Sequence, residues 1–416
     1  MIGYGDKAVR YLPATGHRES LMFTYINIAL LILWLFLPLV STVFICLYLG
    51  TCRMPRPAML FYLFILAMVP SCINFTKQPV EDLAAYNQIF DALAKGGIET
   101  VYKQSVLDPG FYYSTWVLAK VSGGYTPVFV LFWSSCSYFL LFVALLEFDD
   151  LFVSENRGRL AAIVFFTIFI GIEFGLTGHL VRQCFALAVS MLGLVRMISG
   201  RPYKVLFLAA FLCHLSTIVF LPVLILVNLP RKRRTVFLVA LFIAGIIIGQ
   251  TNLLEFATAL PGMNNQFAST ITDKAGEYLA KNDGDITTRM MVEAVAYILI
   301  ALYFAIRGIS AFSDRTNEAL RKFCLFMVTF AIFILFMRNN SLLLLRYFFY
   351  LAYFNLFLLL TLSRLKNFLF YGLFVLFVAT APYRFFGLLK LSNYRYISNS
   401  LQLLRCSIPE MLTYWV

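Results

Sequence analysis

The chain has 416 residues, of which 61% are hydrophobic and 13% charged, about half the roughly 25% charged residues of a soluble domain. A soluble globule is excluded, and continuously apolar runs such as residues 22–48 exclude an outer-membrane barrel, whose strands alternate over roughly ten residues. The formal charge of +13 then reports membrane topology and anionic ligands.

From the N-terminus, the apolar run after Gly5, Pro13 and Gly16 is too long for a removable signal peptide and is expected to remain as a first span. Apolar runs bounded by charges predict eleven segments, near 22–48, 58–75, 126–147, 159–176, 178–196, 204–229, 235–252, 290–309, 322–337, 342–362 and 368–382. Basic turns follow several of them: Arg53 and Arg56; Arg196, Arg201 and Lys204; Arg231, Lys232, Arg233 and Arg234; Arg364 and Lys366. The positive-inside rule sends all of these to the cytoplasm. A single crossing between Lys204 and Arg231 would put one basic turn outside. A re-entrant hairpin over 204–229, with His214 near its tip, removes the conflict. Its arms of about ten and fifteen residues reach roughly 15 and 22 Å, each less than a span. One crossing of about 39 Å is the alternative. The predicted fold is therefore all-α and polytopic, one integral membrane domain over 1–416 with about ten transmembrane helices plus the hairpin. Both termini are external, with large external loops at 76–125 and 253–289. Each loop carries five acids, against four Lys in the first and two Lys and one Arg in the second.

In the first external loop, Pro79 and the helical spacing of Leu83, Tyr86, Phe90 and Leu93 predict a helix lying along the membrane surface. Glu81 and Asp82 read either as first-turn acids complementing the helix dipole or as a carboxylate that takes a proton from a substrate hydroxyl. For the second role Asp82 is the better placed, with Tyr86 four residues on as a sugar platform. Asp108, before Pro109 and Gly110, reads first as the N-cap of another helix, and is carried as a candidate substrate-binding residue.

Arg182 stands in an apolar segment, where an unpaired Arg costs about 2.5–3.5 kcal/mol. It either snorkels to the outer headgroups or meets an anionic partner, for which a phosphate headgroup is considered first because guanidinium offers a bidentate fork. His179 lies three residues before it and Gln183 follows. Ala186, Ser190 and Gly193 continue the face with small side chains. His214 reads as a satisfied core residue or as a phosphate donor at an irregularity marked by Ser216 and Pro222. Arg289, Arg338 and Arg346 are three more external-side cations, and with Arg182 they suggest a diphosphate clamp. The three His and eight Cys include no CxxC pair and no His cluster, so neither metal nor disulfide framework is expected.

The ordered set Asp82-xxx-Tyr86, Asp108-Pro109-Gly110-Phe111, Arg182-Gln183-xx-Ala186, Cys213-His214-Leu215-Ser216 and Arg346 resembles the EpsG-like branch of the Wzy polysaccharide polymerases, over about residues 60–362. Where members typically approach the external Asp with Arg and Gly, this chain has Thr76-Lys77-Gln78-Pro79. The resemblance implies a bacterial inner-membrane glycosyltransferase of the GT-C type. Such an enzyme would join undecaprenyl-diphosphate-linked repeat units into O-antigen or exopolysaccharide at the outer leaflet. Its site would face the periplasm and need no metal or other cofactor. It also implies that Arg182, Gln183, His214 and Arg346 are the polar site residues and that Asp82 and Tyr86 belong to the external loop. Expected partners are the lipid-linked glycans and membrane lipids, with a chain-length regulator left open and no nucleic acid. In that reaction the cations, with His214, stabilise the departing diphosphate and Asp82 takes the hydroxyl proton. The alternatives are a transporter or flippase of the same lipid-linked oligosaccharide, or an O-antigen ligase acting on lipopolysaccharide core. A membrane-bound acyltransferase using His179 or His214 is the remotest.

Overall fold

A computed structural model describes residues 17–79, 81–104, 108–152, 157–171, 177–178, 180–230, 288–311, 318–335, 341–362 and 404–413, with a few isolated positions between 233 and 243. Every regular element among the described residues is a helix, with no strand among them. Eight helices come first: α1 (His17–Phe36), α2 (Pro38–Thr51), α3 (Arg56–Phe75), α4 (Glu81–Lys95), α5 (Ile98–Gln104), α6 (Pro109–Val121), α7 (Pro127–Asp149) and α8 (Gly158–Phe166). Then follow α9 (Val181–Ile198), α10 (Lys204–Cys213), α11 (Phe220–Asn228), α12 (Thr288–Ala311), α13 (Glu318–Leu335), α14 (Ser341–Leu362) and the short α15 (Ile408–Leu412). The expected segments 235–252 and 368–382, and nearly all of the loop 253–289, lie outside the described residues.

Among the described helices α3, α7 and α9 are long and apolar enough to cross a membrane, at 20, 23 and 18 residues. They form the centre of the molecule, α7 packing on α3 along one side and on α9 along the other. Proline opens α2, α3, α6 and α7, where its missing N–H has no partner to lose. Glycine closes α6 and α9. After α9, Gly200 takes φ +75° and Arg201 N–H returns to the Arg196 carbonyl at 2.8 Å. After α6, Gly123 takes φ +62° and Gly124 N–H returns to Ala119 at 2.9 Å. Both are Schellman closures that satisfy otherwise orphaned carbonyls.

The predicted first span, 22–48, is instead two helices, α1 and α2, broken at Leu37. Pro38 has no N–H for the carbonyl one turn back, and it pushes the residue before it out of the α region, here to φ −139° and ψ 66°. The predicted segment 159–176 begins as α8 and widens into a π-helical turn over Thr167–Gly171. Tyr25, Phe36, Leu47, Leu208, Leu221 and Ile225 expose large apolar surfaces on α1, α2, α10 and α11, as a lipid-facing exterior requires.

A charged cluster gathers one end of this bundle. Buried Glu147, near the end of α7, accepts Arg196 Nε at 3.2 Å and Nη2 at 3.0 Å, with Arg201 Nη1 at 3.3 Å and Arg56 Nη2 at 3.8 Å. Arg56 also reaches Asp150 at 2.9 Å, and Arg157 bonds Asp149 at 2.5 Å and Asp150 at 2.6 Å. Fourteen residues of helix separate Arg196 from Arg182, so the two lie about 21 Å apart along α9. The segment after α9 touches both ends. Lys204 follows Arg201, Leu215 N–H bonds Asp108 beside Arg182, and Asn228 Nδ2 lies 3.5 Å from Met197 Sδ.

Candidate active site

Asp108 organises the end of the bundle opposite Glu147. It occupies the N-cap position of α6, yet its side chain makes no capping hydrogen bond, which corrects the expectation that it caps. Its Oδ1 accepts the backbone N–H of Leu215 at 2.9 Å, and its Oδ2 accepts Arg182 Nη1 at 2.5 Å. Both carboxylate oxygens are thus engaged away from the α6 amides, one by an ion pair and one by a distant backbone N–H. Burial raises the pKa of Asp108, but His214, Arg182 and the Leu215 N–H outweigh it and hold the carboxyl below the usual carboxylate range.

Within the chain, Arg182 thus has an anionic partner in Asp108. Arg182 Nε donates to Tyr86 Oη at 2.9 Å and Nη1 also to Tyr112 Oη at 3.1 Å. The guanidinium carbon lies 5.3 Å from the Tyr86 ring centre, 5.5 Å from Tyr112 and 5.9 Å from Phe111. Three aromatic faces and one carboxylate fix the fork, and Nη2 makes no hydrogen bond among the described residues. The side chain keeps 26% exposure, so this cation is held in place without being sealed off.

The aromatic seat follows from helix periodicity. Leu83, Tyr86, Phe90 and Leu93 all turn inward from α4, and Tyr86 and Phe90 meet Phe129 of α7. Phe111 packs on Trp133 with the rings tilted by 33° and their centres 4.8 Å apart. Burial pushes the Tyr86 phenol up, against the pull of Arg182, so it remains a neutral hydrogen-bonding group. Gly110 allows α6 to approach α10: a Cβ at Gly110 would stand 3.0 Å from Leu212 Cβ and 3.1 Å from its carbonyl oxygen. That approach brings the last turn of α10 over Asp108.

His214 is the extended residue where α10 ends, at φ −159° and ψ 115°, before a 3₁₀ turn over Leu215–Val219. Its Nδ1 lies 3.5 Å from Asp108 Oδ2, an electrostatic contact too long for a good hydrogen bond, and this buried nitrogen has no hydrogen-bond partner among the described residues. Arg182 and Arg346 both act electrostatically on the same imidazole. Gln183 Nε2 donates to the Arg346 carbonyl at 3.4 Å, and Ser216 hydrogen-bonds the hydroxyl of buried Tyr350, one turn after Arg346. The site therefore unites α4, α6, α9, α14 and the break after α10.

Of the sequence candidates, Tyr86, Asp108, Arg182, Gln183, His214 and Arg346 come together. Asp82 is exposed in the first turn of α4. Arg289 lies in the first turn of α12, and its side chain is outside the described residues, as are His179 and Arg338 entirely. Tyr112, Tyr350, the close approach of Gly110 to Leu212 and the pairing of Asp108 with Arg182 have no counterpart in the sequence reading. Tyr112 carried a usable signal, being four residues after Asp108 and so on the same helical face. Among the described residues no group of three or more His, Cys, Asp or Glu is placed to hold a metal ion.

A helical bundle with membrane-capable apolar helices that encloses guanidinium, carboxylate and imidazole groups is an integral membrane protein with a polar site. The profile of the EpsG family matches residues 58–398, more than half the chain, and the chain belongs to the EpsG family. Membership implies a polysaccharide polymerase of the glycosyltransferase type. Neither the curated proteins nor the solved structures give a match.

Proposed function

We propose that this protein lengthens glycans carried on undecaprenyl diphosphate at the outer leaflet of the bacterial inner membrane, with its site open to the periplasm. The growing chain on its lipid diphosphate is the donor, and the incoming lipid-linked repeat offers a sugar hydroxyl. The observation that carries the reading is the meeting of α9 and α14 beside His214: Gln183, next to Arg182, donates to the Arg346 carbonyl at 3.4 Å, and Arg182 shares Asp108 with Leu215, the residue after His214. Departure of a diphosphate concentrates negative charge on the bridging oxygen. Cations fixed beforehand stabilise that charge more in the transition state than in the bound substrate. A leaving group already this stable needs no metal.

The orientation belongs to the same proposal. We take the Glu147 cluster as cytoplasmic because Arg56, Arg196 and Arg201 meet there. Residues 204–229 are then a re-entrant hairpin within a GT-C-like bundle of about ten spans. The contacts of Leu215 with Asp108 and of Asn228 with Met197 support a chain that rises to the outer site and returns. Two groups are candidates for proton uptake, exposed Asp82 and His214.

Purified protein in proteoliposomes, supplied with defined lipid-diphosphate-linked repeats, tests the function. A ladder of lengthened lipid-linked glycans is the expected result. Translocation of the repeat without lengthening would make the protein a flippase, and transfer only to lipopolysaccharide core would make it a ligase.

A further inference from the structure

We propose that Asp108 is a positioning residue that makes His214 the proton acceptor of glycosyl transfer, an inference that rests on the polymerase reading above. Asp108 has been counted among substrate-binding groups. A carboxylate buried between Arg182 and the Leu215 N–H is a poor ligand for phosphate, however, because like charges repel. Its geometry suits another task. Leu215 N–H ties Asp108 to the residue following His214, and Gly110 seats α6 directly on the turn preceding it. The imidazole is thereby gripped from both sides in sequence.

The grip has a direction. Nδ1 faces the carboxylate and is buried, so the 17% exposure left to the ring lies on its other atoms. With its neutral-state proton on Nδ1, toward Asp108, the imidazole leaves the Nε2 lone pair as its accepting atom. Among the described residues, the charged groups acting on the ring are Asp108 from the start of α6, Arg182 from α9 and Arg346 from α14. The two cations favour a neutral ring before reaction, and the carboxylate supports the charge that forms during it.

The step balances without a further reactant. The acceptor hydroxyl oxygen forms a bond to the anomeric carbon as the bond from that carbon to the diphosphate oxygen breaks, the electron pair leaving with the diphosphate. The hydroxyl proton passes to Nε2 of His214. Contact with Asp108 shortens from 3.5 Å into a charged hydrogen bond, as catalytic contacts commonly tighten on substrate binding. The proton then leaves to water or the departing diphosphate.

Asp108→Asn discriminates this role from a merely structural one. Asn has nearly the same volume, and its Oδ1 still accepts from Leu215, but its amide nitrogen then faces Arg182 and His214 as a donor. A donor toward Nδ1 favours the tautomer with its proton on Nε2, which removes the accepting atom. In purified full-length protein that lengthens lipid-linked glycans, we expect Asp108→Asn to lower kcat roughly a hundredfold or more with little change in KM for the donor. Asp108→Glu, which restores the charge, should recover part of the loss. Retained turnover in Asp108→Asn overturns the proposal. So does a loss confined to KM, or turnover lost in Asp82→Asn and kept in Asp108→Asn. Wild-type protein that lengthens no glycan at all would instead remove the polymerase reading.

Discussion

The carboxylate of Asp108 accepts the backbone N–H of Leu215 at 2.9 Å, fastening the start of α6 to the residue just after the break that carries His214. The same carboxylate holds Arg182, so one acid couples three separated stretches of chain. The consequences are specific enough to measure.

Arg182→Lys keeps the charge and loses the planar fork. A single ammonium cannot reproduce the separate Nε bond to Tyr86 and Nη1 bonds to Asp108 and Tyr112. Polymer formation should fall severely while membrane insertion stays normal, checked by glycan ladders alongside membrane-fraction immunoblots. Arg182→Ala should be worse, since it strands a buried carboxylate at a cost of about 3–5 kcal/mol.

Gly110→Ala adds one methyl group against the Leu212 backbone, which cannot rotate away as a side-chain tip would. Overpacking of this kind costs about 1–3 kcal/mol. The variant should melt a few degrees lower and lose turnover more than its stability loss explains, because the break moves relative to Asp108. Melting and turnover equal to wild type would show that α6 and α10 have room to spare.

Acid should act on Asp108 with a defined sign. Its neighbours lower its pKa in the folded protein, so the ionised form adds stability above the unfolded-state value of about 3.9. That contribution is lost as pH falls further, through the folded-state value. The melting-temperature gap between wild type and Asp108→Asn should therefore narrow below about pH 4. A gap independent of pH down to 3 would mean the ionised carboxylate contributes nothing to the fold.

Glu147→Gln should loosen the other end of the bundle. The acid is buried, but Arg56, Arg196 and Arg201 remain between a third and a half exposed, so solvent tempers their attraction. A loss of about 1–3 kcal/mol is expected, read as a lower melting temperature in detergent. Because Glu147 holds Arg196, which lies about 21 Å along α9 from Arg182, donor KM should stay unchanged.

The sequence carried the helical class, the family resemblance and the inward face of α4. Long apolar runs and helical spacing are local signals, as Leu83, Tyr86, Phe90 and Leu93 illustrate. The break at Leu37 was local too, but a hydropathy reading passes over Pro38 because proline interrupts backbone hydrogen bonding without adding charge. The pairing of Asp108 with Arg182 spans 74 residues and depends on α4, α6 and α9 meeting. No periodicity encodes it, and an Asp before Pro109 fits a helix cap equally well. Gly110 was visible as part of a Pro-Gly turn, while its contact with Leu212 exists only after packing.

The most direct measurement is the initial rate of glycan lengthening by proteoliposomes carrying wild-type protein, Arg182→Lys or Arg346→Lys, on a defined lipid-diphosphate-linked repeat. Steady lengthening by the wild type and severe loss in both variants, at equal protein incorporation, is the predicted result. Rates matching wild type in both variants would contradict the assignment of these two guanidinium groups to the departing diphosphate.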